Sequence, residues 1–146
     1  MTISKVLIAV DKTATAFKAA KLGFSLAESL KQAEVLLIHV IDPVWTIGDP
    51  DSGLFPEQAS AKLRIETEDF LNQLIEMFGK NVKAFHVVLE GKIVTEIVQT
   101  AKNYDADILV LGVHPKTGFS RLFMEDVVKE ISPLVSCPVL LAYDKE

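Results

Sequence analysis

Short apolar runs alternate along the chain with longer segments whose apolar residues recur at helical spacing. The runs are short and rich in branched residues, which is typical of strands covered on both faces. Strands are predicted at residues 5–10, 33–41, 81–91, 106–112 and 137–143. Helices are predicted at residues 16–30, 57–78, 92–104 and 123–135, the last of them broken near Pro133. The pattern therefore predicts the order β-α-β-α-β-α-β-α-β.

This alternation indicates a parallel sheet with helices on both faces. Because strand crossovers are right-handed, the expected fold class is α/β, with an open, doubly wound sheet of five parallel strands and four helices. A length of 146 residues suits a single domain over residues 1–146. Sheets of this kind bind ligands at the carboxyl ends of their strands, where the strand order reverses.

The segment 42–57 interrupts the pattern. It holds three prolines and two glycines, so we expect no regular element there. It also carries large apolar residues, namely Trp45, Ile47, Leu54 and Phe55. A long loop of this composition suits either a surface for a protein partner or a loop that folds back onto the core. The sequence leaves both interpretations open.

Composition narrows the class of protein. The net charge of −5 and the lack of a basic patch argue against a nucleic-acid partner. The single cysteine, Cys137, excludes an internal disulfide and favours a reducing compartment. No apolar stretch approaches the roughly 18 residues of a membrane span, and the start lacks the long apolar region of a signal peptide. We therefore expect a cytoplasmic protein that does not bind membranes.

The side chains that carry chemistry are scattered. Ser120 has neither a neighbouring base nor a Gly-x-Ser-x-Gly motif around it. His39, His86 and His114 lie on or just after three different strands, without the paired spacing of metal ligands. His39 and His86 are also expected to point to opposite faces of the sheet. Hydrogen-bonded structural histidines are the more common case. The sequence therefore predicts neither a catalytic centre nor a metal site.

Five segments in order resemble the universal stress protein family. They are "KVLIAVDKT", "LIHVID", "VVLEG", "DADILVLGVHPKTGFSRL" and "SCPVLLA", and together they cover nearly the whole chain. The resemblance implies an adenine-nucleotide-binding type of fold with strand order 3-2-1-4-5 and a homodimer through the last strand. If a nucleotide binds, it also implies these site residues: Asp11, Thr13, Val40, Gly112, Lys116, Gly118 and Ser120.

Two of these residues also have a plainer interpretation. In the family pose, Asp11 meets the adenine or the ribose; otherwise it caps the following helix through the N–H groups of Thr13 or Ala14. Val40 offers its backbone to the adenine edge; otherwise it belongs to the core. Thr13 or Thr15 is expected to cap the first helix.

The phosphate loop departs from the ATP-binding branch of the family. That branch carries glycine, two residues, glycine, nine residues, then glycine and a serine or threonine. The corresponding positions here are Gly112, Pro115, Glu125 and Asp126, and only the first matches. Proline removes an N–H donor, and the aspartate replaces a donating hydroxyl with an acceptor. Two like charges about 4 Å apart repel by ~1 kcal/mol in water and by ~4 kcal/mol at an effective dielectric of 20.

The sequence therefore favours a non-catalytic regulatory protein in which ATP binding is lost or weakened and no cofactor is retained. It is expected to be a homodimer through Pro138–Ala142, because a terminal apolar strand would otherwise expose its edge. A protein partner is expected at the 42–57 loop. The alternative is an adenine-nucleotide sensor or weak ATPase whose rearranged loop uses Gly112, Lys116, Gly118 and Ser120.

Overall fold

Five parallel strands form the centre of the protein. The computed structural model describes residues 2–43, 56–113 and 127–143. The strands are β1 (Lys5–Ala9), β2 (Glu34–Ile41), β3 (Lys83–Glu90), β4 (Ile108–Val113) and β5 (Val139–Tyr143). They are hydrogen-bonded in the order β3-β2-β1-β4-β5, and all four pairings are parallel. The predicted order 3-2-1-4-5 is confirmed.

Helices cover both faces of this sheet. They are α1 (Thr15–Ser29), α2 (Pro56–Phe78), α3 (Ile93–Tyr104) and α4, whose described part is residues 127–131. Because side chains alternate along a strand, β1 contributes to two cores. Val6 and Ile8 pack in the core that α1 and α2 cover. Leu7 and Ala9 pack in the core that α3 and α4 cover. The doubly wound arrangement is therefore confirmed.

Several predicted boundaries are wrong by a few residues. The first strand ends at Ala9 rather than Val10. The last helix was predicted to run to residue 135 with a break near Pro133, and it ends at residue 131, because Pro133 cannot continue a helical hydrogen-bond pattern. Helix α2 begins at Pro56, inside the segment predicted to be irregular, where proline suits the first helical turn. Residues 44–55 of that segment lie outside the described residues, so a partner surface there stays a prediction.

The strand order places the site. The chain runs outward from β1 through β2 to β3, and then returns to β4 on the other side of β1. Order therefore reverses between β1 and β4, and ligands bind at such a point beyond the carboxyl ends of the strands. Asp11 follows β1, Val40 lies near the end of β2, and Gly112 lies near the end of β4. Three of the predicted site residues thus meet at one edge of the sheet.

The two outer strands differ in how their open edges are covered. On β3, the Arg64 guanidinium from α2 donates to the Val88 carbonyl at 3.1 Å and lies 3.5 Å from the Glu90 carboxylate. Part of the β3 edge is therefore blocked by a charged side chain, which discourages pairing with another chain. On β5, Tyr143 is 57% exposed and the three residues from Val139 to Leu141 are half-buried.

None of the helices within the described parts of the chain is long and apolar enough to cross a membrane.

Candidate functional site

Asp11 organises a polar cluster at the carboxyl end of β1. Its Oδ1 accepts the Thr13 backbone N–H at 2.9 Å, the Thr13 hydroxyl at 2.6 Å and the Thr15 hydroxyl at 3.1 Å. The two threonine hydroxyls are themselves 2.9 Å apart. The bond from the backbone N–H two residues on is an Asx turn, which bends the chain away from the sheet immediately after β1.

The second oxygen of the same carboxylate is not used in this way. Asp11 is only 5% exposed, and its Oδ2 has no hydrogen-bond partner among the described residues. An unsatisfied buried polar group costs about 1–3 kcal/mol, so native proteins seldom leave one without a functional reason. The interpretation of Asp11 as an acceptor for the start of the following helix therefore applies to Oδ1. The second oxygen, Oδ2, remains available to a ligand.

The prediction that Thr13 or Thr15 caps α1 is wrong. The residue at the cap is Ala14, which has helical backbone angles and makes no capping bond through a side chain. Both threonine hydroxyls turn to Asp11 instead, because the Asx turn brings the carboxylate within reach. Thr15 is thus a member of the site that the sequence suggested only as a cap. Its spacing of four residues from Asp11 is the signal that could have identified it.

Gly112 serves the packing of α1 on β4. A Cβ atom at this position would lie 2.9 Å from both the Cβ and the backbone oxygen of Thr15, and 3.0 Å from its Oγ1. The missing side chain therefore allows the first turn of α1 to approach the strand closely. This contact also holds Thr15 where its hydroxyl reaches Asp11. Gly112 thus supports the site through the fold, whatever its relation to a phosphate.

Val40 combines a core side chain with a backbone placed at the site. Its side chain is 6% exposed and packs in the core under α3 and α4. Its neighbour His39 donates from Nδ1 to the Val10 carbonyl oxygen at 2.7 Å, which fixes the Nδ1–H form because a carbonyl only accepts. Burial is the main cause that lowers the pKa of His39 below its usual value, with a smaller contribution from Lys12. The neutral ring is therefore favoured at neutral pH.

A small cavity of about 20 Å³ joins these groups. Its walls include Asp11, His39 and Val40, together with Ile93 and Ile97 of α3 and Val127 of α4. This volume is enough for about one water molecule. The site thus combines a hydrogen-bond acceptor, Asp11 Oδ2, with apolar walls. Such a site can recognise a ligand that donates hydrogen bonds.

The remaining predicted site residues, Lys116, Gly118 and Ser120, lie outside the described residues. So do Pro115, Glu125 and Asp126, on which the prediction of weakened ATP binding rests. The structure brings together Asp11, Thr13, Val40 and Gly112, and it adds Thr15 and His39 to them.

Two of the three histidines, His39 and His86, lie in the part of the chain that the structure describes. His39 is bonded to the backbone of Val10, and no group of three or more potential metal ligands occurs among the described residues. His39 and His86 were expected to face opposite sides of the sheet. The register pairs Leu37 with His86, so both histidines point to the face that α1 and α2 cover.

Comparison with known proteins gives one consistent family. The model of the Universal stress protein family matches residues 2–142. The chain is 32% identical over 138 residues to universal stress protein MJ0531 of Methanocaldococcus jannaschii, a match that covers 94% of this chain and 80% of the relative.

Solved structures agree in fold. The structure of protein MJ0577, also of M. jannaschii, superimposes with a TM-score of 0.82 at 25% identity and covers 100% of this chain and 99% of its own. A universal stress protein from Archaeoglobus fulgidus in complex with dAMP gives a TM-score of 0.67 at 19% identity, covering 97% and 98% of the two chains. The latter likeness concerns the fold alone.

Proposed function

The chain belongs to the universal stress protein family, and from that premise we propose that it is a non-catalytic regulatory homodimer of the cytoplasm. Its site accepts the adenosine part of an adenine nucleotide weakly and holds the phosphates poorly. ATP is therefore neither bound strongly nor hydrolysed.

The observation that carries the adenosine part of the proposal is the orphan oxygen of Asp11. A buried carboxylate oxygen that receives no hydrogen bond from any described residue, beside an apolar cavity, favours a ligand that supplies a hydroxyl or amino donor. A ribose hydroxyl or the adenine amino group has this chemistry. One relative of the same fold has been solved in complex with dAMP, which carries both a base and a sugar.

The backbone of Val40 supports recognition of the base. One residue that presents both its N–H and its C=O can pair with a heteroaromatic edge that carries an acceptor next to a donor. Adenine has such an edge in N1 and the exocyclic amino group.

Weak phosphate binding is proposed from the loop sequence. Pro115 lacks an N–H, and Glu125 and Asp126 are acidic where the ATP-binding branch has glycine and a hydroxyl residue. A hydrogen bond to a charged group is worth about 1.5–3 kcal/mol. Because a tenfold change in affinity is about 1.4 kcal/mol, even one such bond to a phosphate would be visible as at least tenfold tighter binding.

Isothermal titration calorimetry with adenosine, AMP and ATP plus magnesium tests the proposal. We expect dissociation constants above about 0.1 mM that agree within threefold across the three ligands. Asp11→Ala should weaken adenosine binding at least tenfold, whereas Asp69→Ala, which removes an exposed aspartate on α2, should leave it unchanged. A chain with Pro115→Gly, Glu125→Gly and Asp126→Ser should bind ATP more tightly than adenosine.

A second candidate is a nucleotide sensor or weak ATPase, favoured by the same orphan oxygen together with Lys116, Gly118 and Ser120 in the loop. The calorimetric series separates the two. Binding of ATP to the natural chain that is ten or more times tighter than that of adenosine would favour the second candidate. If none of the three ligands binds at millimolar concentration, both proposals are wrong about the site.

The homodimer is proposed through β5. The Leu109 N–H donates to the Pro138 carbonyl at 2.9 Å, so the backbone groups of alternate residues from Pro138 point to β4. Those of Leu141 and its alternate neighbours point outward, where an antiparallel copy of β5 can pair with them. Half-buried apolar side chains along β5 support this interface, because an exposed apolar edge strand invites pairing.

A proline at the right position tests the dimer without disturbing β4. Leu141→Pro removes one outward N–H, whereas Leu141→Ala keeps it and trims the side chain. In sedimentation velocity experiments, we expect the natural chain and Leu141→Ala to sediment as dimers and Leu141→Pro as a folded monomer. A dimer that persists in Leu141→Pro would place the interface elsewhere.

A further inference from the structure

The register between β1 and β2 predicts one more hydrogen bond than the sheet contains. The Glu34 N–H donates to the Ser4 carbonyl, a separation of 30 residues. In a parallel ladder this pattern repeats every two residues, so the Val40 N–H should donate to the Val10 carbonyl. The bond just before it is present, since the Val10 N–H donates to the Ile38 carbonyl at 2.9 Å. The next one is not formed among the described residues, and β1 ends at Ala9.

The imidazole of His39 occupies the acceptor that this missing bond would use. Its Nδ1 lies 2.7 Å from the Val10 oxygen, a distance typical of a strong hydrogen bond. A carbonyl oxygen has two lone pairs and can accept twice, so the ring bond alone does not forbid the ladder bond. However, the ladder stops at the residue whose oxygen the ring has taken. The side chain thus substitutes for the backbone donor at this position.

The Asx turn at Asp11 has a matching effect on the other backbone group of Val40. The next bond of the ladder would run from the Lys12 N–H to the Val40 carbonyl. The chain turns away at that point, because the Thr13 N–H is held by Asp11 Oδ1 at 2.9 Å. The side chains of His39 and Asp11 therefore replace two successive backbone hydrogen bonds between β1 and β2, and both of these bonds would have involved Val40.

We propose that His39 is a positioning residue: by holding the Val10 carbonyl, it keeps the Val40 N–H out of the sheet and available to a ligand. The inference rests on the proposed function for what the ligand is. Its first half, the release of the Val40 N–H, concerns the ligand-free protein and stands independently.

The neutral Nδ1–H form suits this role. Burial lowers the pKa of His39, and a neutral ring with Nδ1 protonated has exactly one donor, which is committed to Val10. The charged groups acting on the ring are Lys12 and Asp11, with opposite effects on its pKa. Because the ring donates from Nδ1 in both its neutral and its protonated form, its hold on Val10 does not depend on titration.

Three variants of the full chain separate positioning from packing. His39→Phe keeps a planar ring without a donor. His39→Asn keeps a donor, because the Asn Nδ2 occupies the place along the side chain that Nδ1 occupies in histidine. His39→Ala removes both and serves if the phenylalanine variant does not fold. Amide hydrogen exchange and scalar coupling across hydrogen bonds, both measured by NMR, report on the Val40 N–H directly.

In the natural chain we expect no coupling between the Val40 amide and the Val10 carbonyl. In His39→Phe the coupling should appear and exchange of the Val40 amide should slow at least tenfold, while adenosine binding weakens at least tenfold. His39→Asn should restore both to within threefold of the natural chain. Exchange at Ile38, which keeps its ladder bond in every variant, is the internal control.

The outcomes are distinct. A Val10–Val40 coupling in the natural chain overturns the inference at once, and so does unchanged Val40 exchange in both His39→Phe and His39→Ala. If the natural chain binds no adenosine, the proposed function fails, whereas the exchange data still decide whether His39 releases Val40. A further outcome is that the Val40 amide exchanges as expected in His39→Phe while adenosine binding is unchanged by the loss of the His39 donor. In that case the ligand does not use the Val40 N–H, and the second half of the inference is wrong.

Discussion

Replacing Gly112 with alanine tests whether the missing side chain serves the fold. The added Cβ would lie 2.9 Å from the Thr15 backbone oxygen and 2.9 Å from its Cβ. These are closer than carbon normally approaches such atoms. Because one of them belongs to the backbone of α1, no change of side-chain conformation relieves the contact, and the helix must shift from β4. Overpacking of this kind costs about 1–3 kcal/mol.

That free energy converts into a measurable melting temperature. Unfolding entropy is about 2.1 cal/mol/K per residue, which gives about 0.3 kcal/mol/K for a chain of 146 residues. Each kcal/mol therefore lowers the melting temperature by about 3 °C, and Gly112→Ala should lower it by about 3–10 °C. Differential scanning calorimetry of the ligand-free protein measures the change directly.

A double variant checks the mechanism. Thr15→Ala removes Oγ1, which would lie 3.0 Å from the new Cβ, but it leaves the Cβ and the backbone oxygen of Thr15 in place. Gly112→Ala combined with Thr15→Ala should therefore recover little of the lost stability. If Gly112→Ala melts at the same temperature as the natural chain, the packing argument is refuted and the glycine serves the ligand side instead.

Three further changes probe features away from the site. Arg64→Met should uncover the Val88 carbonyl on the β3 edge, so dynamic light scattering should detect association that grows with concentration. Hydrogen bonds from two backbone N–H groups lower the pKa of Asp107. The stability that this carboxylate adds to the fold is present above its pKa in the unfolded chain, and it is lost as the pH falls through about 4 and below. Urea titrations from pH 6 to pH 3 should thus show a steeper loss of stability in the natural chain than in Asp107→Asn. The buried Tyr104 hydroxyl has no partner among the described residues, so Tyr104→Phe should raise the free energy of unfolding by up to about 1–3 kcal/mol, and equal or lower stability in urea would contradict this. The ring contact with Lys5, 5.3 Å from the Tyr104 centroid, is retained in that variant.

The fold was predictable because its signals are periodic. Apolar runs with buried residues on both faces predict the strands, and β4 is buried at every position from Ile108 to Val113. The strand order was predicted through the family resemblance and is confirmed. The boundaries were less predictable, because they depend on single contacts. The end of β1 coincides with the contact between Val10 and His39, which lies 29 residues further along the sequence.

The site was predictable in its location and less so in its members. Asp11 and Val40 could be placed at the ligand edge because both lie near strand ends. The roles of Thr15 and His39 could not, because both depend on which acceptor a side chain finds after folding. A threonine at the start of a helix is ordinarily a cap, and here the Asx turn offers it a carboxylate instead. Whether the loop from Pro115 to Asp126 has lost its hold on phosphate stays a prediction.

The divided use of the Asp11 carboxylate has a consequence for how such proteins evolve. One oxygen organises the turn and the two threonines that follow β1, and this role continues whether or not a ligand is present. Selection for a foldable chain is therefore expected to retain the aspartate and its threonines after selection for nucleotide binding has relaxed. In descendants of a nucleotide-binding ancestor, an intact Asp11 and its threonines would record the inheritance of the fold, whereas substitutions at Pro115, Glu125 and Asp126 would record the change of function.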